Sequence, residues 1–97
     1  MRYVILSADG PCSLYSVPDE VADNLEKYCI EFCTEWLWES PDAQKYRTNQ
    51  GVCYNEADFI EYLNTYLFPD QKSTFIKNIG WDGDSLPEYK DYPYFNF

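Results

Sequence analysis

Hydrophobic residues recur at steps of three and four between residues 21 and 36, as they do along one face of an amphipathic α-helix. One row of this pattern consists of Val21, Leu25, Tyr28, Cys29, Phe32 and Trp36, and a second row beside it consists of Ile30, Cys33 and Leu37. The pattern predicts a single long helix from Ser16 to Ser40, with Ser16 as its N-cap and Pro18 in its first turn. Pro41 predicts the end of this helix, because a residue that precedes proline avoids the α-helical conformation.

A second helical pattern extends from Glu56 to Phe68. Asn55 is placed to cap it, and Asp58 stands at the third helical position. The positions predicted to face the core are Phe59, Ile60, Leu63, Tyr66 and Leu67. Pro69 predicts the end of this shorter helix.

Strand patterns lie at both ends of the chain. Residues 2–7 contain a β-branched and aromatic run, and residues 12–16 alternate between apolar and polar side chains. The Asp9-Gly10 pair between them is a turn signal, so the two segments predict a hairpin. Residues 74–79 predict a third strand. The chain therefore predicts one α+β domain over residues 1–97: a small antiparallel sheet, made of the N-terminal hairpin and one later strand, packed against one long and one shorter amphipathic helix.

The last eighteen residues are punctuated by proline and glycine and predict irregular structure. Their aromatic side chains are Trp81, Tyr89, Tyr92, Tyr94, Phe95 and Phe97. Two interpretations remain open for this tail. Its rings either cover the core or form an exposed docking segment.

The charge balance restricts the partners of this protein. Seventeen acidic residues against seven basic ones give a net charge of −10, and the predicted 16–40 helix alone contributes −6, from seven acids and one lysine. Such a field repels nucleic acid and anionic lipid and attracts basic surfaces. We therefore expect no direct binding of nucleic acid or membrane, although the acidity also serves solubility.

The acids of the long helix are the candidate binding residues. At steps of four, carboxylates are about 6 Å apart, comparable to the spacing of phosphates along one DNA strand. Glu31, Glu35 and Glu39 repeat at steps of four, and repulsion between like charges at this spacing costs a few tenths of a kcal/mol per pair. We expect Trp38 to anchor the contact, because tryptophan is enriched at interface centres. The predicted partner-binding set is Glu20, Asp23, Glu26, Glu31, Glu35, Glu39 and Trp38. The alternative is a solvated helix face.

The residue types present exclude several kinds of catalytic site. The chain has no histidine, which removes the commonest general base and zinc ligand, and it has no glycine-rich phosphate loop. The four cysteines, Cys12, Cys29, Cys33 and Cys53, do not have zinc-knuckle spacing, and Cys29 with Cys33 is better explained as a pair of small core residues. The acids Asp82, Asp84, Glu88 and Asp91 lack the spacing of an EF-hand loop. We expect no catalytic residue, cofactor or metal.

The remaining sequence features favour a cytoplasmic protein with reduced thiols, since the N-terminus lacks a signal-peptide pattern and no stretch approaches the roughly 20 apolar residues of a membrane span. In size and charge the chain is similar to small acidic inhibitors of nucleic-acid enzymes, such as phage-encoded counter-defence proteins and nuclease immunity proteins. The similarity covers no motif.

Three functional hypotheses follow from these features. The first is a non-enzymatic module that binds a basic protein surface, on a nuclease or other nucleic-acid-binding protein. The second is a homo-oligomeric scaffold joined through the aromatics of residues 92–97. The third is a metal- or carboxylate-dependent enzyme.

Overall fold

The computed structural model describes residues 1–81 and 86–97. It contains one four-stranded sheet, one small hairpin with strands of two residues each, and several helices. In the larger sheet the strand order is β5-β2-β1-β6, and β3 pairs with β4 in the small hairpin. The strands are β1 (Arg2–Ser7), β2 (Cys12–Val17), β3 (Arg47–Thr48), β4 (Gly51–Val52), β5 (Thr74–Gly80) and β6 (Tyr94–Asn96).

Two helices cover one face of the larger sheet. The long helix spans residues 25–39 and is built from α-helix Leu25–Glu31, a π-helical turn Phe32–Trp36 and a last α-helical turn Leu37–Glu39. The shorter helix spans residues 56–67 and also ends in a π-helical turn, Leu63–Leu67. Three short helices complete the described chain: Asp19–Asp23 and the 3-10 helices Pro41–Tyr46 and Pro87–Tyr89.

The predicted α+β fold is confirmed, and the sheet has one strand more than predicted. The hairpin of β1 and β2 is antiparallel, with Val4 opposite Tyr15, and β5 pairs antiparallel with β2. The added strand β6 pairs parallel to β1, although the tail was expected to be irregular. The backbone N–H of Ile5 donates to the carbonyl of Pro93 at 2.8 Å, which begins this pairing.

The two faces of the sheet bury two separate hydrophobic clusters. The main core lies between the sheet and the helices and contains Val4 and Leu6 from β1. A smaller cluster on the opposite face contains Ile5, Cys12, Leu14 and Tyr89. In the tail, Phe95 and Phe97 pack against the main core. The structure therefore supports the interpretation in which these tail rings cover the core.

The N-terminal boundary and continuity predicted for the long helix are wrong. Ser16 lies in β2, opposite Tyr3 and Thr74, so it pairs in the sheet and does not cap a helix. The first helix begins at Asp19, and Asn24 separates it from the long helix with backbone angles φ −133° and ψ 38°. The side-chain amide of Asn24 donates to the carbonyl of Glu20 at 3.0 Å, the kind of side-chain bond that competes with helix continuation.

Both helices contain a π-helical turn, and some of their inward-facing positions differ from those predicted. A π-helical turn is closed by i→i+5 hydrogen bonds and holds more residues than an α-helical turn, so it rotates the positions around it. In the long helix Leu37 is fully buried and Ile30 is 42% exposed. In the shorter helix Tyr66 and Leu67 are exposed, contrary to prediction, and Tyr62 is buried in their place.

The other helix ends follow the predicted signals. The long helix ends at Glu39, and Ser40 is extended at ψ 135° before Pro41. Asn55 and Asp58 form a capping box, in which each side chain accepts the other residue's backbone N–H. Among the described residues, no helix is long and apolar enough to cross a bilayer.

Candidate partner-binding groove

A shallow groove lies between the C-terminal half of the long helix and the shorter helix. Its volume is about 410 Å³, and its lining combines three carboxylates with two aromatic rings. The lining residues are Glu31, Glu35, Trp36, Glu39, Ser40 and Tyr62. We call this site the acidic groove.

The three glutamates of the acidic groove are brought together by the π-helical turn between them. An α-helical turn holds 3.6 residues, so side chains four positions apart drift around the helix axis. A π-helical turn holds more residues, so it offsets this drift. Glu31 and Glu39 flank the turn Phe32–Trp36, and Glu35 lies inside it. Mixed α and π geometry therefore keeps side chains four positions apart close to one line.

In the described part of the chain, these three carboxylates form no ion pair. Within residues 1–81 and 86–97, the ion pairs are those of Met1 with Asp19, Arg2 with Asp23 and Lys45 with Glu61. None of the three groove glutamates takes part in an ion pair or hydrogen bond in this part of the chain. The groove therefore concentrates negative charge that the described fold leaves unbalanced.

The aromatic wall of the groove is held rigidly by the main core. Trp36 stacks on the fully buried ring of Phe32, with ring centroids 5.7 Å apart and planes 19° from parallel. Its ring also approaches those of Tyr62, at 4.9 Å, and Tyr66, at 5.2 Å. Such offset and tilted ring pairs stabilise the packing by about 0.5–1.5 kcal/mol each beyond the area they bury.

Tyr62 is the most deeply buried polar residue of the groove. It is 7% exposed, and its hydroxyl has no hydrogen-bond partner among the described residues. Burial, followed by the negative charges of Glu31 and Glu35, raises the pKa of this phenol. The neutral Tyr62 hydroxyl is therefore an unused hydrogen-bonding group beside two carboxylates.

A second cleft of related composition lies on the other side of the same rings. Trp36, Tyr62 and Tyr66 line it together with Glu61 and Lys45. Here a cation is present, because the Lys45 ammonium lies 3.8 Å from Glu61 Oε1 and 5.1 Å from the centroid of the Tyr46 ring.

The end of the long helix beside the groove is fixed by Arg47. Its Nε–H donates to the carbonyl of Leu37 at 2.8 Å, and its Nη2 donates to the carbonyl of Ser40. A cation at a helix C-terminus interacts favourably with the helix dipole and occupies carbonyls that the helix leaves unpaired. Arg47 is thereby committed to the backbone rather than to the groove glutamates.

The predicted acids nearer the N-terminus do not belong to the groove. Glu20 accepts a hydrogen bond from the Tyr28 hydroxyl at 2.8 Å, and Asp23 pairs with Arg2. Glu26 lies beside Lys27 in a separate surface depression, which also includes Ile30 and Glu31. The predicted line of six carboxylates is thus interrupted at Asn24, after Glu20 and Asp23, and only Glu31, Glu35 and Glu39 line the acidic groove.

Trp38 is exposed but lies outside the acidic groove. Its side of the long helix faces the β3–β4 hairpin, where a Cβ on Gly51 would lie 3.8 Å from Trp38 Cη2. The residue is 52% exposed. The sequence-based anchor is therefore a surface aromatic beside the hairpin, while the aromatic residues of the groove itself, Trp36 and Tyr62, were assigned to the core or not singled out.

The four cysteines are spread over the fold. Cys12 lies in the cluster on the far face of the sheet, Cys29 is fully buried in the main core, and Cys53 is exposed. Burial, and to a lesser degree neighbouring Cys33, raises the pKa of the Cys29 thiol. Among the described residues, no three cysteine or carboxylate groups come close enough to hold a metal ion. Two of the acids considered as cation ligands in the sequence, Asp82 and Asp84, lie outside the described residues.

Comparisons with known proteins add no family to this geometry. No protein-family model matches the chain, and no curated protein and no solved structure matches it either. The function is therefore argued from the groove itself.

Proposed function

We propose that this protein is a non-enzymatic acidic module that binds a basic surface on another protein through the acidic groove. The partner class is a nuclease or another nucleic-acid-binding protein, and binding inhibits it by occupying the surface that nucleic acid would use. The protein acts in the cytoplasm, without a cofactor and without binding nucleic acid or membrane itself. It would thus work as a nucleic-acid mimic, in the manner of phage counter-defence or nuclease immunity proteins.

The observation that carries this proposal is the set of three uncompensated carboxylates around a rigid aromatic wall. Repulsion between like charges one helical turn apart costs a few tenths of a kcal/mol per pair, and none of the described ion pairs involves these glutamates. A partner that brings positive charge removes this repulsion and gains Coulomb attraction. Such complementarity raises association rates and selects partners of opposite charge.

The groove provides affinity as well as charge. Trp36 lies half-buried against the core, so its ring offers apolar contact area without losing conformational freedom on binding. Glu26 and Trp38 extend the contact surface on either side, and both are exposed. Glu20 and Asp23 contribute to the overall field, but their carboxylates are already engaged by Tyr28 and Arg2.

We infer nucleic-acid mimicry because the surfaces that complement the acidic groove are those that bind phosphates. A row of carboxylates at about 6 Å intervals resembles successive phosphates, and surfaces built for phosphates carry the matching lysines and arginines. Affinity should fall steeply with salt, because both partners shed counterions on binding.

The test compares two variants of equal net charge. The first is Glu31→Gln, Glu35→Gln and Glu39→Gln, and its control is Asp70→Asn, Glu88→Gln and Asp91→Asn, a set of exposed acids outside the groove. Both change the net charge from −10 to −7, that is, by three. Each immobilised protein captures partners from the source cell at low and moderate salt, and the affinity of each purified partner is then measured.

We expect the groove variant to bind the partner at least about tenfold more weakly than the control, which is about 1.4 kcal/mol. Duplex DNA should compete with the native protein for that partner. Equal affinities of the two triple variants for every captured partner would mean that the groove is not the contact surface.

A further inference from the structure

We propose that the acidic groove is a receptor for a single arginine side chain of the partner, with the guanidinium held between the glutamates and the rings of Trp36 and Tyr62. This inference rests on the proposed function and specifies the chemistry of its central contact. It makes Tyr62, rather than Trp38, the residue that determines specificity.

The unused hydroxyl of Tyr62 is the first reason. This side chain is more than nine-tenths buried, and no described group hydrogen-bonds to it. Its hydroxyl oxygen is not itself enclosed, since Ser73 Oγ alone among the described side-chain oxygens and nitrogens is both buried and without a partner, so a ligand's donor would replace solvent there. A donor entering the groove would satisfy the phenol oxygen together with the adjacent carboxylates of Glu31 and Glu35.

The neighbouring cleft gives the second reason, because it already contains the kind of complex that we infer. That cleft shares Trp36 and Tyr62 with the acidic groove, and there the Lys45 ammonium lies near both Glu61 and the ring of Tyr46, which is not part of the groove. In the cleft, one carboxylate is paired with Lys45. The acidic groove has three carboxylates, and no lysine or arginine of the described chain lines it. A cationic side chain of another molecule would supply the complementary charge.

Arginine fits this site better than lysine. The lining offers four separate acceptors, which are the three carboxylates and the Tyr62 hydroxyl oxygen. A guanidinium has five N–H donors in one plane and stacks on aromatic faces, whereas an ammonium has three donors and holds its hydration more strongly. The Trp36 and Tyr62 rings meet at 52° and form two walls for a flat cation, where cation–π attraction adds about 0.5–2 kcal/mol.

The experiment separates arginine recognition from attraction between opposite charges. The full chain is titrated calorimetrically with nona-arginine and with nona-lysine, two peptides of equal charge, at the same ionic strength. The same titrations are repeated with Tyr62→Phe, with Glu31→Gln/Glu35→Gln/Glu39→Gln, and with Tyr3→Phe as a control at an exposed tyrosine. Near-ultraviolet circular dichroism and thermal melting check that each variant remains folded.

We expect the native chain and Tyr3→Phe to bind nona-arginine about tenfold more tightly than nona-lysine. Tyr62→Phe should lower the affinity for nona-arginine at least about threefold and leave that for nona-lysine unchanged, because only the guanidinium reaches the phenol. The NMR signal of the Trp36 indole N–H should shift with nona-arginine and hardly at all with nona-lysine.

Two other outcomes overturn the inference and are distinguishable from each other. If both peptides bind equally, or if the arginine preference survives in Tyr62→Phe, the groove does not select arginine. In that case the proposed function still stands, provided that the triple glutamine variant binds both peptides more weakly than the native chain does. If the triple glutamine variant binds both peptides as tightly as the native chain does, the groove is not a cation site and the proposed function fails with the inference.

Discussion

The acids near residue 20 and the acids of the groove have similar sequence surroundings but different structural roles. Asp19 pairs with the N-terminal amine at 3.0 Å, and Asp23 pairs with Arg2. Glu31, Glu35 and Glu39 have no such partners among the described residues. The first group therefore holds the Asp19–Asp23 helix to the start of β1, and the second group remains available for another molecule.

This difference arises from topology. The chain leaves β2 and enters the Asp19–Asp23 helix, which lies against β1, so Met1 and Arg2 come close to acids about twenty residues away. The groove glutamates lie farther along, beside the shorter helix, where Lys45 pairs with Glu61 and Arg47 binds backbone carbonyls. A row of acids in a sequence therefore contains both structural and available carboxylates, and only their neighbours in space distinguish them.

The largest expected effect comes from removing the support of the groove, with Phe32→Ala. Phe32 is fully buried, and its ring centroid lies 5.7 Å from that of Trp36 and 5.1 Å from that of Tyr62. The substitution should lower the free energy of unfolding by about 3–5 kcal/mol. Guanidinium denaturation measures it, and Phe75→Ala is the matched control.

Phe75 lies on the edge strand β5 and is 57% exposed, so its loss should cost less than about 1 kcal/mol. A similar cost for the two alanine variants would show that Phe32 does not carry the core beneath the groove.

The second prediction is a difference of sign between the two groups of acids. Glu31→Gln/Glu35→Gln should raise the free energy of unfolding by about 0.3–0.8 kcal/mol, because it removes repulsion within the helix. Asp19→Asn/Asp23→Asn should lower it by a similar amount, because it removes two exposed ion pairs.

Both double variants change the net charge from −10 to −8, so a general charge effect would shift both in the same direction. Thermal melts at low and high salt measure the difference, which should narrow as salt screens the exposed charges. Two shifts of equal sign would remove the distinction between structural and available acids.

Local sequence signals predicted the framework of the fold correctly. The Asp9-Gly10 turn, the Ser40-Pro41 helix end and the Asn55 cap all act within a few residues, so they can be read without the tertiary structure. The strands β1 and β5 follow from β-branched and aromatic runs, and β2 follows from its alternation of apolar and polar residues. Burial then follows for those parts of the helices that keep an uninterrupted α-helical period.

Features that depend on distant residues were not predicted. The strand β6 forms because residues near 95 pair with residues near 6, and a short aromatic tail carries no signal of that pairing. The break at Asn24 and the two π-helical turns change the helical phase, so a fixed 3.6-residue period misplaces Tyr66 and misses Tyr62. A signal for Tyr62 was present, since it stands three residues after the buried Phe59 and one before Leu63.

The smallest expected effects concern two tyrosines that report on the two groups of acids. Burial first, and then the hydrogen bond to Glu20, raises the pKa of Tyr28 from 10.0 to about 12. Burial and then Glu31 and Glu35 raise the pKa of Tyr62. The unfolded chain loses these protons first, so the stabilisation is complete below pH 10 and is lost as the pH rises through the folded-state values.

Glu20→Gln should therefore lower the pKa of Tyr28 and leave that of Tyr62 unchanged, and Glu35→Gln should do the reverse. Each decrease should be partial, because burial is the largest cause of both shifts and remains in the variants. Titration of ¹³C-labelled tyrosine Cζ signals by NMR between about pH 9 and 12.5 covers the range in which phenols lose their proton. It measures Tyr28 and Tyr62 separately. If Glu35→Gln leaves the Tyr62 titration unchanged, the carboxylate does not face this phenol, and the unneutralised charge would lie outside the groove that we assign to the partner.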